Sequence, residues 1–312
     1  MIKKYLLPLL LLILLTACAN ENEEQVNSAE ESTLSVITTF YPVYEFTQQV
    51  AGDRADVHQL VTGGTDAHHF EPSARDVAAI NDSDLFIYSS EEMETWVPSL
   101  LDSLDNESLP IVKTAENIEL MEQDGHHHDD HDHDHDHSHS VDPHIWLDPV
   151  LAQDQINTIK EALIDRDPEG EAYYTERAEG YNQELQSLHE DYETAFEEAD
   201  ERVFVTQHES FGYLAHRYHL TQIAVGGLST EVEPSPSRIA EINQLVEEYD
   251  VPVIYYQEGA SSSIAETIAN ETNTEIAVLY DLENISAEML EKELDYMSAM
   301  RENLETLKKS IR

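Results

Sequence analysis

Two blocks of short apolar strands alternating with helical stretches, one on each side of a long helical stretch, constrain the fold of this chain most strongly. In the first block, a buried strand is predicted over Leu34–Phe40 and a helix over Pro72–Asn81. Further strands of this block are predicted at Asp56–Val61, Leu85–Tyr88 and Pro110–Lys113. Such alternation is typical of an α/β fold with a mainly parallel sheet.

The second block repeats this alternation, so the two halves of the chain are predicted to share one architecture. Its strands are predicted at Arg202–Thr206, Leu220–Ala224, Val251–Tyr256 and Glu275–Leu279. Its helices are predicted at Phe211–Tyr218, Pro236–Glu248, Ser261–Thr272 and Ser286–Ser310. We therefore predict an α/β protein of two lobes with mainly parallel sheets.

The long helical stretch between the blocks is predicted to connect the two lobes. A helix over Pro149–Asp165 precedes it, and Asp167 with Pro168 is a favourable helix start. From Glu169 to Asp200 the sequence is rich in Glu, Ala, Leu, Gln and Tyr, and a helix of about 30 residues would be about 45 Å long. The alternative is a helical hairpin broken at Gly180.

The charge of the chain excludes one class of partner. Its 312 residues include 16 Lys and Arg against 65 Asp and Glu, which gives a formal net charge of −49. Nucleic acid would be repelled by this charge, whereas cations would be attracted. Most of the acidic residues are expected to form a solvated surface.

The N-terminal residues predict export and lipidation. Lys3 and Lys4 precede an apolar run, Tyr5–Leu15, which is too short to span a bilayer but suits a signal peptide. Residues 15–18, Leu-Thr-Ala-Cys, resemble the bacterial lipobox, so residues 1–17 are predicted to be removed and Cys18 lipidated. Residues 18–33 are predicted to be a flexible tether. The alternative is an ordinary signal peptide with a chance cysteine.

Cys18 is the only cysteine, so the predicted mature chain has neither a disulfide nor a metal site built from several thiolates. Histidine is therefore the residue to examine for metal chemistry. A tract within residues 124–140 alternates His with Asp and contains His126, His127, His128, His131, His133, His135, His137 and His139. It has no apolar residue that could build a core, and its composition predicts weak auxiliary capture of metal at several positions. The alternative is a solvated insertion with incidental affinity.

Outside the tract, three histidines lie in predicted loops where metal ligands are commonly found. His68 and His208 follow predicted strands, and His144 lies between two prolines just before a helix. In open α/β sheets such loops build the ligand site, and imidazole nitrogens suit Zn²⁺. Spacing alone does not separate His68 from His69, and a carboxylate in residues 279–284 is a candidate fourth ligand.

The remaining histidines outside the tract are assigned structural or surface roles: His58, His189, His216 and His219.

Five segments resemble, in order, motifs of the zinc-binding lipoproteins of bacterial ABC importers, within the metal-specific class of solute-binding proteins. They are residues 66–72 (DAHHFEP), 142–149 (DPHIWLDP), 208–214 (HESFGYL), 233–236 (EPSP) and 280–283 (YDLE). The resemblance implies His68, His144, His208 and Glu283 as the ligands of one Zn²⁺. Ala67 and Asp281 stand where the family usually has proline, and some zinc relatives have three histidines and a water at the fourth position. Asp281, Glu258 and water therefore remain rivals of Glu283.

The resemblance also implies the organisation and role of the chain. Two Rossmann-like lobes, residues 34–165 and 201–312, would be joined by a rigid helix within 166–200. The protein would capture Zn²⁺ with high affinity outside the cytoplasmic membrane, anchored there by the lipid on Cys18. It would act as a monomer and deliver Zn²⁺ to an ABC permease with its ATPase.

Three alternative functions follow from the same residues. The first is a lipoprotein for manganese or another divalent metal, although three nitrogens and one oxygen favour zinc. The second is a surface adhesin. The third is a zinc hydrolase, but residues 208–212 (HESFG) do not form the H-E-x-x-H motif of the common zinc proteases.

Deleting residues 124–140 is expected to leave tight, stoichiometric Zn²⁺ binding intact, because the tract supplies only auxiliary histidines. Competition with a chromogenic chelator measures this on the full-length and deleted proteins. Loss of tight binding in the protein that lacks residues 124–140 would contradict the prediction that the tract is only auxiliary to the main site.

Overall fold

The computed structural model of the chain describes residues 33–122, 141–228 and 234–312. The predicted signal peptide, the lipidation site Cys18 and the His/Asp-rich tract lie outside these residues. Among the helices of the described part, none is long and apolar enough to cross a membrane.

The first lobe contains a four-stranded parallel sheet with the strand order β2-β1-β3-β4. Its strands are β1 (Leu34–Thr38), β2 (Ala55–Gln59), β3 (Leu85–Tyr88) and β4 (Ile111–Lys113). Its helices are α1 (Tyr41–Ala51), α2 (Ala74–Asn81), α3 (Val97–Leu101) and α4 (Pro149–Arg166). A short antiparallel pair, β5 (Met121–Glu122) and β6 (Val141–Asp142), flanks the residues that contain the tract.

The second lobe repeats this topology, as the sequence predicted. Its parallel sheet has the order β10-β9-β7-β8, so in both sheets the first strand lies between the second and the third. The strands are β7 (Val203–Thr206), β8 (Thr221–Ala224), β9 (Val253–Gln257) and β10 (Glu275–Leu279). The helices are α6 (Gly212–Arg217), α7 (Pro236–Glu248), α8 (Ser263–Thr272), α9 (Ala287–Glu291) and α10 (Tyr296–Leu307).

The inner strands β1, β3 and β7 are buried on both faces, which explains why they are mostly apolar without strict alternation. In β1, Val36 packs into the large core that extends through both lobes, while Ile37 packs on the other face with Ile80 of α2. In β7, Phe204 and Val205 divide in the same way between the large core and a second cluster. Side chains that alternate across a strand produce this division.

Helix α5 (Glu171–Phe196) connects the lobes without a break at Gly180. Its 26 residues follow a 3₁₀ turn at Pro168–Gly170 and span about 39 Å. Arg177 donates to the Gln49 carbonyl of α1 at 2.7 Å, and the Tyr192 hydroxyl donates to the Met300 carbonyl of α10 at 2.8 Å. The helix therefore binds the first lobe near one end and the second lobe near the other.

The buried residues of α5 recur at three- or four-residue spacing, so one stripe faces the core. They are Tyr174, Ala178, Tyr181, Leu185, Leu188, Tyr192 and Phe196.

The structure corrects two predicted elements. The strand predicted to reach Phe40 ends at Thr38, because the chain turns there into α1, with proline in its first turn. The single helix predicted over Ser286–Ser310 is two helices, α9 and α10. Glu293 adopts a left-handed backbone (φ 54°), and Asp295 caps the start of α10 with its carboxylate.

Direct hydrogen bonds tie the lobes together beside the cleft. The Trp146 indole N–H, from the first lobe, donates to the Asp281 carbonyl at 2.7 Å. The Tyr296 hydroxyl of α10 donates to the Trp146 carbonyl at 2.6 Å, and the Tyr296 ring packs edge-on against Phe46 of α1. These contacts, together with α5, favour a cleft of nearly fixed shape.

We expect Tyr296→Phe to lower the free energy of unfolding by about 1–3 kcal/mol, because the buried Trp146 carbonyl loses its donor. The matched control is Tyr249→Phe, whose ring is 43% exposed and which we expect to change stability by less than about 0.5 kcal/mol. Urea unfolding measures both. Equal effects of the two changes would show that the contact between the lobes does not contribute.

Candidate metal centre

The four predicted ligands lie in loops at one end of the two sheets. His68 lies in the loop after β2, and His144 follows β6 and precedes a 3₁₀ turn at Ile145–Leu147. His208 follows β7, and Glu283 follows β10. Because parallel strands in one sheet end at the same edge, the loops of His68, His208 and Glu283 reach the cleft between the lobes, and the antiparallel β5–β6 pair brings His144 to them.

Glu283 Oε1 lies at the centre of this group. It is 3.1 Å from His208 Nε2, 3.2 Å from His144 Nε2 and 3.8 Å from His68 Nε2. The Nε2 atoms of His144 and His208 are 3.2 Å apart. All four side chains are buried. The structure thus brings together the four residues predicted to bind one Zn²⁺, two from each lobe.

The outer nitrogens of two imidazoles are held by acceptors. His144 Nδ1 donates to Asp142 Oδ1 at 2.7 Å, and His208 Nδ1 donates to the Gly227 carbonyl at 3.1 Å. A carboxylate and a carbonyl only accept hydrogen bonds, so both Nδ1 atoms carry the proton. In the neutral rings, both Nε2 atoms then present lone pairs to the centre of the group, as metal-bound histidines do.

His68 Nε2 is buried and has no hydrogen-bond partner among the described residues. Leaving a buried polar nitrogen without a partner costs free energy, so this atom indicates a missing neighbour.

The distances fit a tetrahedral cation. With metal–ligand bonds of about 2.0–2.1 Å, neighbouring ligand atoms of a zinc site lie about 3.3 Å apart. Three of the four separations given above are 3.1–3.2 Å, and His68 Nε2 lies farther out, at 3.8 Å from Glu283 Oε1. The donor set and its geometry therefore suit Zn²⁺.

The pKa values of His144 and Glu283 are shifted in opposite directions. Burial lowers the pKa of the His144 imidazole, but its hydrogen bonds with Asp142 and Glu283 outweigh burial and raise the pKa to about 10. Burial alone would raise the pKa of Glu283, but its hydrogen bonds with His144 and His208, together with the nearby His68 ring, hold it well below its usual range. A His144 proton donated to Glu283 is consistent with both directions.

A repeated local turn orients three of the four ligands. Asp142 Oδ1 accepts from the His144 backbone N–H at 3.0 Å. Asp66 accepts in the same way from the His68 N–H at 2.7 Å, and Asp281 from the Glu283 N–H at 3.3 Å. An aspartate two residues before each ligand therefore forms an Asx turn. This assigns Asp281 a structural contact.

Asp281 and Glu258 differ as rivals of Glu283. Asp281 is buried, and its carboxylate shares a second cluster of ligand atoms with His208 and Glu283, all within 4.8 Å of one another. Burial and the negative charge of Glu283 raise the pKa of Asp281 to about 7. Glu258 lines the adjoining pocket but belongs to neither cluster found among the described residues.

The other histidines of the described part lie elsewhere. The His69 side chain is 49% exposed beside Asp66 and turns away from the centre of the group. His58 is exposed beside Asp56, His189 contacts Tyr218, and His216 and His219 are exposed.

Sequence reasoning missed the residues that hold the ligand loops. Trp96 donates its indole N–H to the Ala67 carbonyl at 2.9 Å, and Thr95 donates to the His68 carbonyl at 3.0 Å. Asp142 was noted only as part of a motif, although an aspartate two residues before a histidine is a readable signal for an Asx turn. Trp96 and Thr95 are distant in sequence from the loop and give no such signal.

The sequence and structure match known zinc-uptake proteins over nearly the whole chain. Over 300 residues the chain is 41% identical to the high-affinity zinc uptake system protein ZnuA of Bacillus subtilis (strain 168), covering 96% of this chain and 94% of that protein. It is 40% identical over 317 residues to the zinc-binding lipoprotein AdcA of Streptococcus pneumoniae (strain ATCC BAA-255 / R6), covering 98% of this chain but 60% of AdcA.

Two solved structures share this fold. The metal-dependent lipoprotein YcdH from Bacillus subtilis superposes with a TM-score of 0.77 at 40% identity, covering 89% of this chain and 99% of YcdH. The Zn(II)-bound ZnuA-like domain of Streptococcus pneumoniae AdcA gives a TM-score of 0.77 at 39% identity, with the same coverage. Residues 36–310, from β1 to beyond α10, match the family model of ZnuA, described as zinc-uptake complex component A, periplasmic, and the chain belongs to this family.

Proposed function

We propose that this chain captures Zn²⁺ with high affinity outside the cytoplasmic membrane and delivers it to the permease of an ABC importer. The observation that carries the proposal is the convergence of three Nε2 atoms and one carboxylate oxygen in a buried position. Zn²⁺ is the cargo, and His68, His144, His208 and Glu283 are its four ligands. Membership of a zinc-uptake family supports this assignment.

The donor set favours zinc over manganese. Three imidazole nitrogens and one carboxylate oxygen suit a borderline ion such as Zn²⁺, whereas Mn²⁺ prefers more oxygen ligands. Asp281 gives the site a second nearby carboxylate, but its Asx turn with the Glu283 N–H assigns it to loop geometry.

The proposed role needs no chemical step. Four protein ligands leave no open position, whereas a catalytic zinc keeps one for water or substrate. Zn²⁺ would displace the His144 proton, join the ligands of the two lobes, and fix one arrangement of the cleft for recognition by the permease. A separate ATPase would drive import.

The location and anchoring are part of the proposal. Cys18 would carry the lipid, residues 18–33 would hold the body away from the membrane, and the protein would act as a monomer. The His/Asp-rich tract would collect Zn²⁺ near the cleft. The name of AdcA as a zinc-binding lipoprotein is consistent with a lipid anchor.

Replacing each proposed ligand in turn tests the site: His68→Ala, His144→Ala, His208→Ala and Glu283→Gln. In protein whose eight tract histidines are replaced by serine, each change is expected to weaken Zn²⁺ binding roughly a hundredfold or more, because about 10–16 kcal/mol of zinc binding is shared among four ligands. Chelator competition measures affinity, and metal analysis measures stoichiometry.

His216→Ala is the matched control, because His216 is exposed on α6 and should leave the affinity unchanged. Wild-type affinity in the His144 and His208 variants would refute the assignment, as would a preference of the unmodified site for Mn²⁺.

Zinc binding is also expected to release about one proton at pH 8. The pKa of His144, about 10 in the metal-free protein, keeps its ring protonated there, and the bound form must be neutral. Apparent affinity should therefore rise up to about tenfold per pH unit below pH 10. The same pKa shift affects stability. Between about pH 6.5 and 10, His144 is protonated in the metal-free fold but neutral in the unfolded chain, so the free energy of unfolding falls as pH rises through this range.

Calorimetry in buffers of different ionisation enthalpy counts the released protons. Asp142→Asn removes the carboxylate that helps to raise the His144 pKa, so this variant should release fewer protons at pH 8. Equal proton release by the variant and the wild type would contradict this account of the metal-free site.

A further inference from the structure

Asp142 links the candidate site to the second lobe. Its Oδ1 accepts from both the backbone N–H and the ring Nδ1 of His144, at 3.0 and 2.7 Å. Its backbone carbonyl accepts from the Tyr213 hydroxyl at 2.8 Å. Asp142 belongs to β6 of the first lobe and Tyr213 to α6 of the second, so this contact crosses between the lobes.

The Tyr213 hydroxyl holds both strands of the β5–β6 pair. It donates to the Asp142 carbonyl and accepts from the Met121 backbone N–H at 2.8 Å. Met121 and Asp142 are paired residues of these two strands, and the Tyr213 ring is 4% exposed. One buried hydroxyl therefore fixes the position from which the Asp142 side chain reaches His144.

Gly212, the first residue of α6, packs against the carboxylate of Asp142. A Cβ at Gly212 would collide with Asp142 Oδ2, so the carboxylate lies directly against the backbone of the helix start. The φ angle of Gly212 is not in the left-handed region, so backbone conformation does not require glycine there. The close approach of the Asp142 carboxylate does. Consecutive residues of α6 thus hold the backbone and the carboxylate of Asp142.

We propose that Tyr213 and Gly212 are positioning residues for zinc capture, which orient the His144 ring through Asp142. The inference rests on the proposed function, because it assumes that His144 binds the ion. His208 lies on the segment that leads into α6, so one stretch of the second lobe supplies its own ligand and aligns a ligand of the first. Neither Tyr213 nor Gly212 contacts the ion.

The test compares Tyr213→Phe with Tyr218→Phe in protein whose eight tract histidines are replaced by serine, which keeps the connection between β5 and β6. Tyr218 follows the same helix, has the same 4% exposure, and hydrogen-bonds through its hydroxyl to His189 rather than to the site. Chelator competition gives Zn²⁺ affinity, the visible spectrum of the Co²⁺-loaded protein reports ligand geometry, and urea unfolding gives stability.

Tyr213→Phe is expected to weaken Zn²⁺ binding roughly tenfold and to change the Co²⁺ bands, as loss of an outer partner of a metal-bound histidine does. Tyr218→Phe is expected to leave affinity and spectrum unchanged even if it lowers stability by the same amount. Gly212→Ala provides a second variant if Tyr213→Phe does not fold. Alanine suits a helix and displaces the Asp142 carboxylate from the opposite side, so the same spectral change is expected.

Wild-type affinity and an unchanged Co²⁺ spectrum in the folded Tyr213 or Gly212 variant would overturn the inference. Equal losses in the Tyr213 and Tyr218 variants would also overturn it, since they would indicate a general effect of removing a buried hydroxyl. A wild-type protein that binds neither Zn²⁺ nor Co²⁺ would instead contradict the proposed function.

Discussion

The rest of the structure depends on one constraint. Three histidine nitrogens and one carboxylate oxygen, each with a lone pair, face one another in a buried space and repel one another unless a positive charge lies between them. The Nδ1 protons of His144 and His208 are directed outward to Asp142 and to the Gly227 carbonyl. The inner nitrogens and Glu283 Oε1 would therefore repel one another without a positive charge between them. A proton on His144 relieves this in the free protein, and the proposed Zn²⁺ would relieve it fully by binding all four atoms.

The fold keeps these atoms together through several independent restraints. Parallel strands bring three of the loops to the cleft, and the antiparallel β5–β6 pair brings the loop of His144. Aspartates two residues before three of the proposed ligands set the local backbone. Leu282, between Asp281 and Glu283, adopts a left-handed backbone (φ 62°), which costs an L-residue roughly 1–2 kcal/mol. Its nearly complete burial compensates for this strain. These restraints together hold the four side chains in one place.

Much of this was predictable from the sequence because the signals are local. The apolar strands predicted both lobes, and the long stretch without proline predicted α5. Flanking glycine or proline residues indicated the loops of His68 and His144. The family motif, rather than spacing, distinguished His68 from His69. The folded chain then placed the His69 side chain in solvent.

The remainder depends on contacts between residues that are far apart in sequence. Nothing local indicates that the Trp146 indole reaches the Asp281 carbonyl, or that the Tyr213 hydroxyl closes the β5–β6 pair. The break before α10 was missed because residues 286–310 contain neither proline nor glycine. There the Asp295 cap and the positive φ of Glu293 end one helix and start the next.

Zinc K-edge X-ray absorption on stoichiometrically loaded protein whose eight tract histidines are replaced by serine tests the central claim most directly. Our account predicts four nitrogen or oxygen neighbours at about 2.0–2.1 Å, with multiple scattering that corresponds to three imidazoles and no sulfur. A shell of five or six oxygen-rich neighbours with scattering from one imidazole or none would contradict it.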